Sequence, residues 1–250
     1  MTQDNIFHPY EFSAQEKARL DRDGHLLLPG VLTSSACERL IESLARVEAL
    51  PETAEHRPGG FAAEHDAYLA GLIAHPQMLA LARGILGEDI RYDHCVNLSR
   101  HGGFAGQGWH SHAYANDQPQ LGFIRIFFYI NGFEPGDGAL KVVPGSHLLR
   151  DASLRAENDE EFRDGWLRGK THPLTGQPLR IEELNAPPAT VIVMWTHAAH
   201  AVSRRRAGSD TRWTVVYAYR NPGAPSHARW IQDDFEQSPP AGAEGLMSLY

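Results

Sequence analysis

The chain has 250 residues, 42% hydrophobic and 22% charged, which is enough for one large core and too apolar for global disorder. Its formal charge of −8 gives no general attraction to polyanions, which argues against nucleic acid as a partner. No stretch reaches the roughly 18 apolar residues of a membrane span, and Met1 to Tyr10 lacks the flank and apolar run of a secretory signal, so a cytoplasmic protein is expected.

Taken in chain order, the first 89 residues read as helices around one short strand. Ser13 with Glu16, and Ser35 with Glu38, each match a capping box, which satisfies two backbone donors at a helix start. After the second box, Cys37, Leu40, Ile41, Leu44 and Val47 recur at helical spacing. Between these helices, His25 to Leu28 is mostly apolar and ends at Pro29-Gly30, which predicts a strand and a turn. A further helix is expected from Gln77 to Leu86, ending at Gly87, with Gly59 to Phe61 as loop. Cys37 and Cys95 have neither disulfide-framework nor metal-binding spacing and read as buried small hydrophobes.

From Ile90 the texture changes to strands. Arg91–Leu98, Phe123–Ile130, Ala139–Val143, Thr190–Met194 and Thr211–Tyr219 are rich in β-branched and aromatic residues. Gly102-Gly103, Pro135-Gly136-Asp137-Gly138 and Pro144-Gly145 punctuate them, a texture of sandwiches and closed barrels. A helical insert is expected over Asn158 to Arg168, and an irregular tail from Asn221.

The chain holds 14 histidines, and three of them matter most. Gly108-Trp109-His110-Ser111-His112 places two imidazoles at i and i+2, the same face of a strand. By itself that spacing is common by chance. A distant apolar strand, Thr190 to Met194, runs on towards His197 and His200, and Arg212 opens the final strand with Ser203 between. Metals that activate dioxygen need a few fixed ligands and open positions, and a nearby guanidinium suits a dicarboxylate.

From about Arg91 to Tyr219 the chain resembles the phytanoyl-CoA dioxygenase family of iron(II)- and 2-oxoglutarate-dependent oxygenases. The matching pieces are Trp109-His110-Ser111-His112 with Tyr114, Gly138-Ala-Leu-Lys-Val-Val-Pro-Gly-Ser-His147, and His200 with Ser203 and Arg212; Asp23-Gly24 leading into Leu26–Gly30 is similar to the family's opening. The resemblance implies a mostly β protein with flanking α-helices and a double-stranded β-helix (jelly-roll, cupin-like) core. The expected layout is one domain over 1–250, mainly helical at 1–89, jelly roll at 90–220 and irregular at 221–250. It implies that His110 and His200, rather than His197, hold Fe(II), and that Arg212 binds the far carboxylate of 2-oxoglutarate with Ser203. Arg100 stands where the family has a basic residue touching the co-substrate. The partners would be dioxygen and a small-molecule substrate.

One departure stands out. The family has Asp or Glu two residues after its first histidine, and this chain has His112. Three neutral imidazoles leave the site one negative charge short. The expectation is a three-histidine iron oxygenase with His110, His112 and His200 as ligands. A carboxylate from Asp93 or Asp117, a site for another metal, and a silent descendant stay open. So do a three-histidine dioxygenase without 2-oxoglutarate and a non-catalytic barrel for a small ligand. Arg125 interrupts an apolar run and faces either the pocket or solvent, Lys141 is expected at the surface, and His147 reads as a structural hydrogen-bonder.

Overall fold

A computed structural model describes residues 4–53, 57–112, 121–151, 153–223 and 231–248. Helix α1 (Ala14–Asp23) starts at the expected Ser13–Glu16 capping box and stops at Gly24, whose φ of 87° is left-handed. Strand β1 (His25–Leu28) follows. Helix α2 (Ser34–Glu48) is capped by Thr33, whose hydroxyl accepts from the Ala36 N–H, so Ser35 and Glu38 lie inside the helix and form no box. A 3-10 turn over Pro58–Glu64 replaces the loop expected at Gly59 to Phe61. Two more helices are α3 (Ala67–Leu72), capped by Asp66, and α4 (Pro76–Leu86), which has proline in its first turn and Gly87 beyond its end.

The strands that follow are β2 (Arg91–Asn97), β3 (Gln107–His110), β4 (Phe123–Tyr129), β5 (Leu140–Val142) and β6 (Arg155–Ala156). After α5 (Asp159–Asp164) come β7 (Glu182–Glu183), β8 (Thr190–Trp195), β9 (His200–Val202) and β10 (Thr214–Arg220). The helical insert is thus shorter than expected, with Asn158 as its cap. The tail carries short helices α6 (Asp233–Gln237) and α7 (Glu244–Met247) where none was expected.

Two five-stranded antiparallel sheets, ordered β1-β8-β4-β10-β2 and β6-β3-β9-β5-β7, form the double-stranded β-helix. The amino-terminal part is more than a helical preface, because β1 pairs with β8. Strand β4 shows how the layers are set. Ile124, Ile126 and Phe128 pack outward in the core shared with the helices, while Phe127 and Tyr129 face the second sheet. Covering both faces explains why β4 is buried along its whole length. Cys95 is buried as expected, but Cys37 is only half-buried. Among the described residues no helix is long and apolar enough to cross a membrane.

Candidate metal centre

Strands β3 and β9 pair so that His110 and His200 are direct partners, with ring centroids 4.1 Å apart. His112 lies past the end of β3, where its N–H donates to the Thr196 carbonyl (3.2 Å). The same-strand geometry expected for His110 and His112 therefore stops short of His112, yet the rings still converge. Each of the three offers a nitrogen, and these nitrogens lie within 4.8 Å of one another. His197 points elsewhere, into a separate cavity with Trp195.

The tautomers follow from the backbone. His110 Nδ1 is 2.9 Å from the Gly108 carbonyl, and His200 Nδ1 is 2.9 Å from the Ala198 carbonyl. A carbonyl only accepts, so each Nδ1 carries the proton and each Nε2 keeps its lone pair towards the cluster. Near His110 Nε2 is the Gln107 amide nitrogen, at a long 3.4 Å. His112 differs, since its Nε2 lies 2.7 Å from Arg125 Nη1. Burial pushes His110 down to about 4. It drives His112 and His200 well below the ordinary histidine value, with Arg125 adding to the effect on His112 and His110 to that on His200. All three rings are neutral at neutral pH, the form that ligates metals.

A cavity opens beside the cluster, lined by Phe127, Tyr129, Leu140 and Val202 among others, with Arg100, Arg125 and Arg212 in its wall. Arg212 is 3% exposed, its guanidinium lies over the Tyr129 and Phe133 rings, and its Nε and Nη1 have no hydrogen-bond partner among the described residues. Gly138 makes this placement possible, because it has a φ of +73° and a Cβ there would lie 2.8 Å from Arg212 Nη1. Arg100 joins Arg212 through an isolated antiparallel bridge.

Ser203 departs from the role expected of it. Side chains alternate along β9, so His200 and Val202 face the cavity and Ser203 faces away. Its hydroxyl donates to Glu183 Oε1 (2.6 Å). Lys141 is likewise not a free surface residue, since its Nζ is 2.8 Å from Asp159 Oδ2, and Asp159 also accepts from Trp109 Nε1. His147 Nε2 contacts the Asp21 carbonyl (3.0 Å). Asp93 does not join the cluster, because its Oδ1 is 2.6 Å from His94 Nδ1. Tyr114 and Asp117 lie outside the described residues.

Sequence reasoning missed His94, whose ring lines the cavity. In the β2–β10 register Ala218 opposes His94 and Tyr219 opposes Tyr92, which leaves Asp93 as a bulge. His94 lies two residues before Val96, so plain alternation along β2 turns it into the cavity, and the bulge instead returns Tyr92 to the outer core. No sequence signal marks that bulge.

The phytanoyl-CoA dioxygenase (PhyH) family model matches residues 20–193, a span that includes His110 and His112 and ends before His200. No curated protein sequence matches the chain. Among solved structures, the epimerase SnoN in complex with Fe3+, alpha ketoglutarate and nogalamycin RO is 17% identical, with a TM-score of 0.66 over 87% of this chain and 86% of that one. HygX from Streptomyces hygroscopicus with nickel and 2-oxoglutarate bound is 17% identical, with a TM-score of 0.65 over 90% and 92%. EctD from S. alaskensis with 2-oxoglutarate and 5-hydroxyectoine is 19% identical, with a TM-score of 0.63 over 87% and 81%. At these identities the likeness is one of fold.

Proposed function

The chain belongs to the phytanoyl-CoA dioxygenase family, and we propose that it is a non-haem iron(II)- and 2-oxoglutarate-dependent oxygenase that hydroxylates or otherwise oxidises a small molecule. The observation that carries this reading is the convergence of His110, His112 and His200 within 4.8 Å at a cavity whose lining also includes the buried Arg212. The donor set fits, because neutral imidazole nitrogens suit divalent iron, and His110 and His200 are oriented by carbonyls. When bound, iron(II) supplies the redox chemistry in which dioxygen and 2-oxoglutarate give succinate, carbon dioxide and one oxygen atom inserted into substrate.

The protein's own share is holding and positioning. His110 and His200 would hold the metal from paired strands. Arg212, with Arg100 beside it, meets the far carboxylate of 2-oxoglutarate, whose charge offsets a guanidinium already withdrawn from water. Burial lowers the proton affinity of Arg212, which makes an anionic partner favourable there. Phe127, Tyr129, Leu140 and Val202 keep water from the reacting centre. Cys37 and Cys95 are free thiols, in keeping with a reducing cytoplasm.

The test is succinate formation by the iron-loaded protein under air, with and without 2-oxoglutarate. Succinate that depends on iron, dioxygen and Arg212 supports the reading. Metal-dependent oxygen consumption that ignores 2-oxoglutarate overturns the co-substrate assignment.

A further inference from the structure

The histidine cluster borders two spaces. Gln107, His110 and His112 line the cavity that contains Arg212, and the same three residues line a second, more open groove. The two spaces share no other lining residue. The groove adds Arg155, Glu157 and Glu161, the charged residues of β6 and of the helix that follows it.

The groove is built onto the strand that carries His110. Strand β6 pairs antiparallel with β3, which sets Arg155 opposite His110 and Ala156 opposite Trp109. Gly108 lets the two strands close, because a Cβ there would lie 2.6 Å from the Ala156 carbonyl oxygen. Glu157 follows β6, and Glu161 Oε2 accepts from the Glu157 N–H (2.7 Å), so the Glu161 carboxylate is held at the strand end. Helix α5 is itself fastened to β3. Phe162 stacks on Trp109 with ring centroids 4.1 Å apart and planes 6° from parallel, and Asp159 accepts from Trp109 Nε1 (2.9 Å). The charged wall of the groove is thus fixed relative to the metal ligands.

Charges of both signs stand on that wall without meeting. Asp159, also on α5, is paired with Lys141 and Arg163. Among the described residues Arg155, Glu157 and Glu161 enter no ion pair. Arg155 Nη1 reaches only backbone, the Leu154 carbonyl at 2.5 Å and the Ser111 carbonyl at 3.4 Å. Two residues of extended chain span about 7 Å, which is the scale of separation between the Arg155 and Glu157 positions. A ligand with a single charge would satisfy part of this wall. One with a carboxylate at one end and an ammonium at the other would satisfy all of it.

We propose that this groove holds the substrate, and that the substrate is a small zwitterion with its carboxylate on Arg155 and its ammonium on Glu157 and Glu161. The proposal rests on the metal-site reading above and names the substrate class for it. Arg155 lies opposite His110, so the carbon chain between the two charges runs beside the cluster. Co-substrate and substrate then reach the metal from different spaces, one lined by Arg212 and the other by Arg155 and the two glutamates.

The experiment uses the full chain loaded anaerobically with Co(II) and 2-oxoglutarate, and reads paramagnetic broadening of probe proton lines by NMR. Four five-carbon probes are added singly: 5-aminopentanoate, pentylamine, pentanoate and pentan-1-ol. Broadening of 5-aminopentanoate is expected to exceed that of each other probe by about threefold or more. Arg155→Met should reduce it to the level of pentylamine, and Glu157→Gln with Glu161→Gln to the level of pentanoate. Glu161→Gln keeps an oxygen for the Glu157 N–H, so the strand end stays in place. All variants, folded by circular dichroism, should broaden 2-oxoglutarate itself as the native chain does. Equal broadening of the four probes, stronger broadening of a single-charge probe, or no broadening of any overturns the proposal. A probe ranking that survives unchanged in the charge variants overturns it as well. If the 2-oxoglutarate lines stay sharp in the native chain, the metal-site reading itself fails, so the two failures are distinguishable.

Discussion

His110 and His200 face each other directly across the β3–β9 ladder, each with its Nδ1 fixed on the carbonyl two residues earlier in the chain. Directly opposed residues of an antiparallel pair have Cβ atoms about 5 Å apart, close enough for two rings to converge on one ion. The ladder is thus the device that brings distant parts of the sequence to one point. His110→Ala and His200→Ala should each weaken iron binding by more than about 100-fold. Elemental analysis after anaerobic loading and desalting reads this directly, and full iron retention in either variant would refute the assignment.

Arg212 packs over Tyr129 and Phe133 and is not part of the histidine cluster, so its loss should separate co-substrate from metal. Truncating one side of a buried, hydrogen-bonded charge pair costs about 2–5 kcal/mol. Arg212→Ala should therefore raise the 2-oxoglutarate KM by about 30-fold or more while the iron content stays native. Arg212→Lys should recover only part of the loss, because an ammonium lacks the planar fork that meets a carboxylate with two bonds. Equal loss of iron and of 2-oxoglutarate affinity would show that Arg212 supports the fold rather than the co-substrate.

The sequence carries the long elements and the chemistry better than the short ones. His25 to Leu28 is legible as a strand because an apolar run meets Pro29-Gly30, and the structure has it at the same bounds. The histidines and Arg212 stand out by motif and order. Strand β9 has three residues, His200–Val202, too few to show a period, and without it Ser203 cannot be assigned to the outward face. The bulge at Asp93 is a matter of pairing between β2 and β10, which no local pattern records. The setting of Lys141 is hidden for a similar reason, since its partner Asp159 comes from a helix that approaches β5 only in the folded chain.

The Pro-Gly-Ser-His stretch supports the second metal ligand from beneath. Ser146 Oγ accepts from the Ala199 N–H (2.9 Å), next to His200, and both residues are buried. Ser146→Ala leaves that backbone donor unsatisfied, a loss of about 1–3 kcal/mol. For a chain of this size the melting midpoint should fall by roughly 2–10 °C. Iron affinity should fall with it, because the turn that presents His200 is loosened. A midpoint within about 1 °C of native would mean that water replaces the hydroxyl without loss.

His147, in the same stretch, sets a pH dependence of stability. Its Nε2–H donates to the Asp21 carbonyl (3.0 Å), while its buried Nδ1 has no partner among the described residues. A Cβ at Gly24 would lie only 2.5 Å from that Nδ1, so the backbone of the α1–β1 turn closes over the atom. Protonation would place a second N–H where nothing accepts it, and burial accordingly pushes this histidine down to about 4. The unfolded chain takes the same proton at about 6.5. Between those values the unfolded state holds more protons, so stability rises with pH there. The contribution is complete above about 6.5 and is lost as pH falls towards about 4, with a slope approaching about 1.4 kcal/mol per pH unit for this one group. His147→Gln keeps an amide donor for Asp21 and does not titrate. Its unfolding free energy, followed by denaturant titration of the metal-free protein, should therefore vary less steeply than native over that window. An identical slope in the two proteins would place the acid sensitivity in other groups.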